Sequence, residues 1–128
     1  ANTLANERVF HQFPPKPAGW QPAQGQDGAY GGRPDGAAVD SLGNYWVAMY
    51  EGGRVLQLSP SGQVLRAIEV PARCPTMPCF GGEDLRTLYL TTASRGRPAQ
   101  ELQALPLSGH VLSMRVEVPG RPVDFFNG

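Results

Sequence analysis

The chain repeats itself. Pro34-Asp35-Gly36-Ala37-Ala38-Val39-Asp40 precedes Tyr45-Trp46-Val47-Ala48. Forty-one residues after Pro34, Pro75-Thr76-Met77-Pro78-Cys79-Phe80-Gly81 precedes Leu88-Tyr89-Leu90-Thr91. Gly53-Arg54-Val55-Leu56 is echoed by Gly109-His110-Val111-Leu112, after an insertion over residues 93–108. Each unit closes on the same triplet, Glu69-Val70-Pro71 and Glu117-Val118-Pro119. Four short strands in roughly 40–45 residues is the period of a β-propeller blade. A meander or sandwich with a chance likeness between its halves is the competing reading. At this period the 128 residues hold at most three blades, fewer than the four or more of a closed ring. The expected fold is therefore all-β, a partial propeller of about two to three four-stranded blades.

The local patterns agree. Strands are expected at 37–40, 45–50, 54–59 and 64–70 in the first unit, and at 87–92 and 110–118 in the second. They are β-branched or aromatic and alternate, and Ser41-Leu42-Gly43-Asn44, Glu51-Gly52-Gly53, Ser59-Pro60-Ser61-Gly62 and Gly81-Gly82-Glu83-Asp84 supply turns between them. No window of a dozen residues holds a helical apolar period free of Gly or Pro, and only Ala99 to Leu105 can make a helical turn or two.

Charge and cysteine narrow the function classes. Eleven basic residues balance eleven acidic ones, so there is no net basic field for nucleic acid or an anionic membrane. No apolar run approaches a membrane span, and no basic-then-apolar leader is present at the start. Cys74 and Cys79 lie far in sequence from His11 and His110, so a zinc site is not expected. Both are read as free, buried thiols, in keeping with a cytoplasmic protein. A single disulfide between them is the alternative.

In an up-and-down blade the tight turns at 41–44, 60–62 and 81–86 share one face. The long connections, Pro14–Pro34 and Ser94–Ser108, share the other. Asp35 opens the innermost strand on that second face, and Tyr50 and Glu51 join it from the next turn. Thr76 holds the matching position in the second unit. Elaborated loops on a rigid scaffold are where function sits, so these four residues are the site candidates. Each has a plainer reading: Pro-Asp-Gly is a common turn, Glu51 a solvated loop carboxylate, Tyr50 a packing aromatic. Trp20 is placed like Tyr50. Asp40 and Asn44 are read as capping the first tight turn, and Arg54, Arg95 and Arg97 as surface residues. There is no G-x-S-x-G, no supported Ser-His-Asp set and no phosphate loop.

The ordered set Arg33-Pro34-Asp35-Gly36, Val39-Asp40, Gly43-Asn44-Tyr45-Trp46-Val47-Ala48, Gly52-Gly53-Arg54-Val55, Pro75-Thr76, Phe80-Gly81-Gly82, Asp84-Leu85, Thr87-Leu88-Tyr89 and Thr91-Thr92-Ala93 resembles the C-terminal part of the gluconolactonase family, which includes regucalcin and luciferin-regenerating enzyme. The resemblance spans roughly Asn6 to Gly120. It implies a six-bladed propeller, with 6–13 as the outer strand of one blade and 34–71 and 75–119 as the next two. It further implies lactone hydrolysis at one divalent cation, Ca2+ or Zn2+, with Mg2+ or Mn2+ as further options. Asp35 would be its metal ligand and catalytic carboxylate; the family's other ligands have no counterpart here. Tyr50, Glu51 and Thr76 are weaker substrate candidates. The expected function is then a C-terminal fragment of a sugar-lactone hydrolase, paired with a missing half or with itself. The alternative is a non-catalytic partial propeller that closes a ring by association.

Overall fold

The computed structural model describes residues 5–21 and 30–124. The strands are β1 (Arg33–Val39), β2 (Tyr45–Tyr50), β3 (Arg54–Leu58), β4 (Val64–Glu69), β5 (Pro75–Gly81), β6 (Thr87–Thr92) and, after the short helix α1 (Ala99–Ala104), β7 (Val111–Arg115). They form two antiparallel sheets, β1-β2-β3-β4 and β5-β6-β7, each a simple meander. The chain is all-β apart from α1, and the two sheets are blades of a partial propeller.

The first strand of each blade is unusual for β structure. Pro34 lies in β1, and Pro75 and Pro78 lie in β5. Proline cannot donate to a ladder and is confined to sheet edges and bulges. β1 and β5 are such edges, and β5 packs against β1 and β2 at the inner side of the pair. This is why β1 begins at Arg33, four residues before the expected strand: a bulge between Pro34 and Ala37 absorbs Asp35 and Gly36 within it.

Alternation along β2 builds two cores. Trp46 and Ala48 join Val55, Leu88 and Leu90 between the sheets, with Ile68, Phe80, Leu112 and Met114 packed around them. Trp46 meets Phe80 edge-on at 5.8 Å. Val47 and Met49 face the other way with Leu56 and Leu58, and Phe13 and Tyr45 lie against them. Each fully buried large apolar side chain contributes about 1.5–3 kcal/mol.

Three expectations change. Residues 6–13 form no strand; Phe10 instead stacks edge-on against Tyr45, and His11 Nδ1 contacts the Gly62 carbonyl at 2.8 Å. β7 ends at Arg115; Val116 N–H still reaches the Arg86 carbonyl in the β6–β7 register, and beyond it Gly120 bridges back to Asp40. The second blade therefore has three strands among the described residues, where four were expected. Among the described residues no helix is long and apolar enough to cross a membrane.

Candidate active site

Both inner strands bulge at the same place. In β1 the register slips across Asp35 and Gly36, and in β5 it slips across Thr76. The two bulges touch: a Cβ on Gly36 would stand 2.6 Å from the Thr76 carbonyl oxygen and 2.6 Å from Met77 Sδ. Only glycine allows this approach. Bulges commonly aim side chains beside active sites. Asp35 is exposed, and its carboxylate has no hydrogen-bond partner among the described residues. Thr76 is half-buried, and its hydroxyl meets that of Thr91 at 2.7 Å. The structure thus sets the Asp35–Gly36 bulge against Thr76.

Glu51 differs from expectation. It is no solvated loop carboxylate: it is buried, 6% exposed. Lys16 Nζ donates to Oε1 at 2.8 Å, Tyr30 OH to Oε2 at 3.0 Å, and Arg33 and Arg97 each at 3.3 Å. Burial pushes its pKa up, but the Lys16 and Tyr30 hydrogen bonds and the charges of Lys16 and Arg33 outweigh that and hold it below its usual value. Its backbone is left-handed, at φ 65°, a conformation that costs a residue with a Cβ about 1–2 kcal/mol. The cage holds it there.

The cage has its own supports. Arg97, expected at the surface, is nearly buried and forks onto Glu101 one turn along α1, with both bonds at 2.8 Å. That bond, above all, raises the guanidinium's pKa further. The Arg33 guanidinium lies 4.6 Å over the Tyr50 ring. Lys16 lies 4.9 Å over Trp20, which packs edge-on against Tyr30. Tyr50 and Trp20 therefore serve as platforms for cations. None of Lys16, Tyr30 or Arg33 was singled out from the sequence. The available signal was the pair of double glycines: a Cβ on Gly32 would stand 2.6 Å from the Tyr50 carbonyl oxygen and the Gly52 nitrogen. Such close approach marks Glu51 as a packed turn.

Asp40 lies on the opposite face, as expected, but it does more than cap a turn. Fully buried, it accepts from the Leu42 and Asn44 backbone N–H groups, Asn44 Nδ2, Trp46 Nε1 and Gln57 Nε2 at 2.9–3.3 Å. Cys74 is buried and Cys79 exposed, and both are free thiols. The expectation that both are buried fails for Cys79 because alternation along β5 turns it outward, opposite Tyr89. Burial raises the Cys74 pKa, so it is a protonated packing residue and not a thiolate nucleophile.

The SMP-30/Gluconolactonase/LRE-like region matches residues 1–94. The chain belongs to this family. It is 60% identical over 98 residues to a 6-deoxy-6-sulfogluconolactonase of Pseudomonas putida, covering 77% of this chain and 34% of that protein. It is 39% identical over 97 residues to chicken (Gallus gallus) regucalcin, covering 74% of this chain and 32% of that one. A solved structure described as a calcium-binding protein, regucalcin, from Agrobacterium tumefaciens superposes with a TM-score of 0.69 at 27% identity, over 89% of this chain and 34% of the other. The chain spans about a third of the length of these relatives.

Kinship with a calcium-binding structure makes the fit of a cation to this chain a direct question. Among the described residues no three His, Cys, Asp or Glu side chains come together as a metal site. Glu51 and Asp40 are saturated by their own donors. Asp35 stands alone, and a hard cation takes six or more oxygen ligands. The described residues of this family member do not form a metal site by themselves.

Proposed function

We propose that this chain is the C-terminal portion of a sugar-lactone hydrolase, cytoplasmic, with Asp35 as its share of the active site. The observation that supports this best is the paired bulge. In a chain of this family, the one free carboxylate of the inner strands stands out of a bulge against the bulge of the neighbouring blade. A carboxylate so placed can orient the attacking water and accept its proton as the lactone carbonyl is attacked. Thr76 lines the same spot. A divalent cation would take Asp35 as one ligand among several, the others coming from outside the described residues. The match to the sulfogluconolactonase, at 60% identity against 39–40% for the YvrE and chicken regucalcin relatives, supports a sugar lactone with an acidic substituent. The site would be incomplete in this chain alone. The remaining blades, or a further copy, would meet it on the outward face of the second sheet, where Met77, Tyr89 and Val111 are exposed.

The test is hydrolysis of gluconolactone and of its C6-sulfonated form by the intact gene product and by its Asp35→Ala variant. Loss of about 100-fold or more in kcat is expected, the scale of a general base. Full activity in Asp35→Ala would end this reading.

A further inference from the structure

The cage around Glu51 is charged beyond what Glu51 needs. Arg97 and Arg73 both approach Glu101, Arg97 with a fork and Arg73 at 3.8 Å. Lys16 and Arg33 share the single carboxylate of Glu51, which also takes a bond from Arg97. The two differ in what remains free. Arg33 gives one Nη to Glu51 and also interacts with the Tyr30 hydroxyl, which still leaves part of its five-donor fork unspent. The Arg33 side chain is 56% exposed, yet Tyr50 beneath and Glu51 beside hold its plane. A guanidinium with donors to spare, already fixed in orientation, can take an oxyanion. Arg33 also lies in β1, two residues before Asp35. That is about 7 Å along a strand, comparable to the span of a hexose.

We propose that Arg33 is the anion-binding residue of the lactone site, taking a sulfonate or phosphate at the end of the sugar remote from the lactone. Glu51 and Tyr50 are its positioning residues. Lys16, at the same carboxylate, adds positive field. The proposal rests on the reading of Asp35 as the active-site carboxylate, since that places the lactone next to Arg33.

The experiment is calorimetric titration of the intact gene product with three open-chain acids: gluconate, its C6-sulfonated form and its C6-phosphorylated form. All three carry the carboxylate, so their ratios read the second charge. Either acid with the added group, the sulfonate at −1 or the phosphate at about −1.5 to −2, should bind about tenfold or more tighter than gluconate, as a charge-assisted pair supplies. In Arg33→Ala the ratio should collapse towards one, and Arg33→Lys should restore part of it. A wild-type ratio near one overturns the proposal. So does a ratio that persists in Arg33→Ala while the melting temperature falls, because Arg33 would then only hold Tyr50 and Glu51. Because these acids are not turned over, the ratio is readable whatever Asp35→Ala does to hydrolysis, and the two readings can fail separately.

Discussion

Two buried carboxylates stand at opposite ends of the β1–β2 pair, and they are satisfied by opposite means. Asp40 is held by neutral donors: two backbone N–H groups, an Asn amide, an indole and a Gln amide. Four of the five come from Leu42, Asn44 and Trp46, within six residues. Glu51 is held by cations and one phenol, from residues 18 to 46 positions away. Both pKa values lie below their ordinary values, and in both burial opposes the shift. For Asp40 the hydrogen bonds of Trp46 and Asn44 win; for Glu51 the hydrogen bonds of Lys16 and Tyr30 win together with the charges of Lys16 and Arg33. A neutral cage closes on itself and leaves no surplus field. A cationic cage with more charge than its carboxylate keeps donors pointing outward. The first is what a structural turn requires, and the second is what a binding site can use.

The largest effect should come from Asp40→Ala. It strands an indole N–H and two amides in a dry site, at about 1–3 kcal/mol for each group left unsatisfied. A loss of about 3 kcal/mol or more is a large part of a total of about 5–15 kcal/mol. Urea denaturation should show a much lower midpoint, and a midpoint near wild type would mean that the cage is incidental. Glu51→Gln should cost less, about 1–2 kcal/mol, because Lys16 and Arg33 are 40% and 56% exposed and water screens what Glu51 no longer neutralises. Salt separates the two mechanisms. Raising ionic strength from about 0.1 M to 1 M shortens the Debye length from about 10 Å to 3 Å. The Glu51→Gln deficit should shrink over that range, and the Asp40→Ala deficit should not. Equal salt dependence would break the comparison.

The same contrast accounts for what could be read without coordinates. β2 was legible because Tyr45 to Tyr50 is a β-rich aromatic run whose two faces are both buried. Asp40 and Asn44 were legible as a turn because their bonding is local. The shared placement of Asp35 and Thr76 was legible because it follows from the repeat. Their bulges were not, since a bulge depends on the partner strand's register. Glu51 was misread because nothing within five residues signals Lys16, Tyr30 or Arg97; its burial exists only once the long loops fold over it. Arg97 was misread for the same reason, its fork onto Glu101 requiring α1 to form. Residues 6–13 are read as an outer strand from the family resemblance alone, with no local pattern behind it, and they form no strand in the structure.

Acid titration gives the smallest and most specific difference. A carboxyl whose pKa is lowered on folding lends stability that is complete above its unfolded value, about 4. That stability is lost as pH falls through the lower folded value. Asp40 and Glu51 both act in this sense, so wild-type stability should fall from about pH 5 downward. Each group adds at most about 1.4 kcal/mol per pH unit to that fall. Asp84, held at about 2 by its hydrogen bond from Arg115, titrates in the same direction in every variant and sets a common background. Glu51→Gln removes one proton from the acid limb and should flatten it, as should Asp40→Asn. The two should part at high salt. There the cations' hold on Glu51 weakens and its folded pKa rises towards the ordinary value, so the wild-type limb itself becomes shallower. The share owed to Asp40 has no charge partner to screen and should persist. Urea unfolding of wild type and Glu51→Gln between about pH 3.5 and 6, at low and high salt, measures this. A Glu51→Gln limb as steep as wild type at low salt would show that Lys16, Arg33 and Arg97 do not depend on that carboxylate's charge.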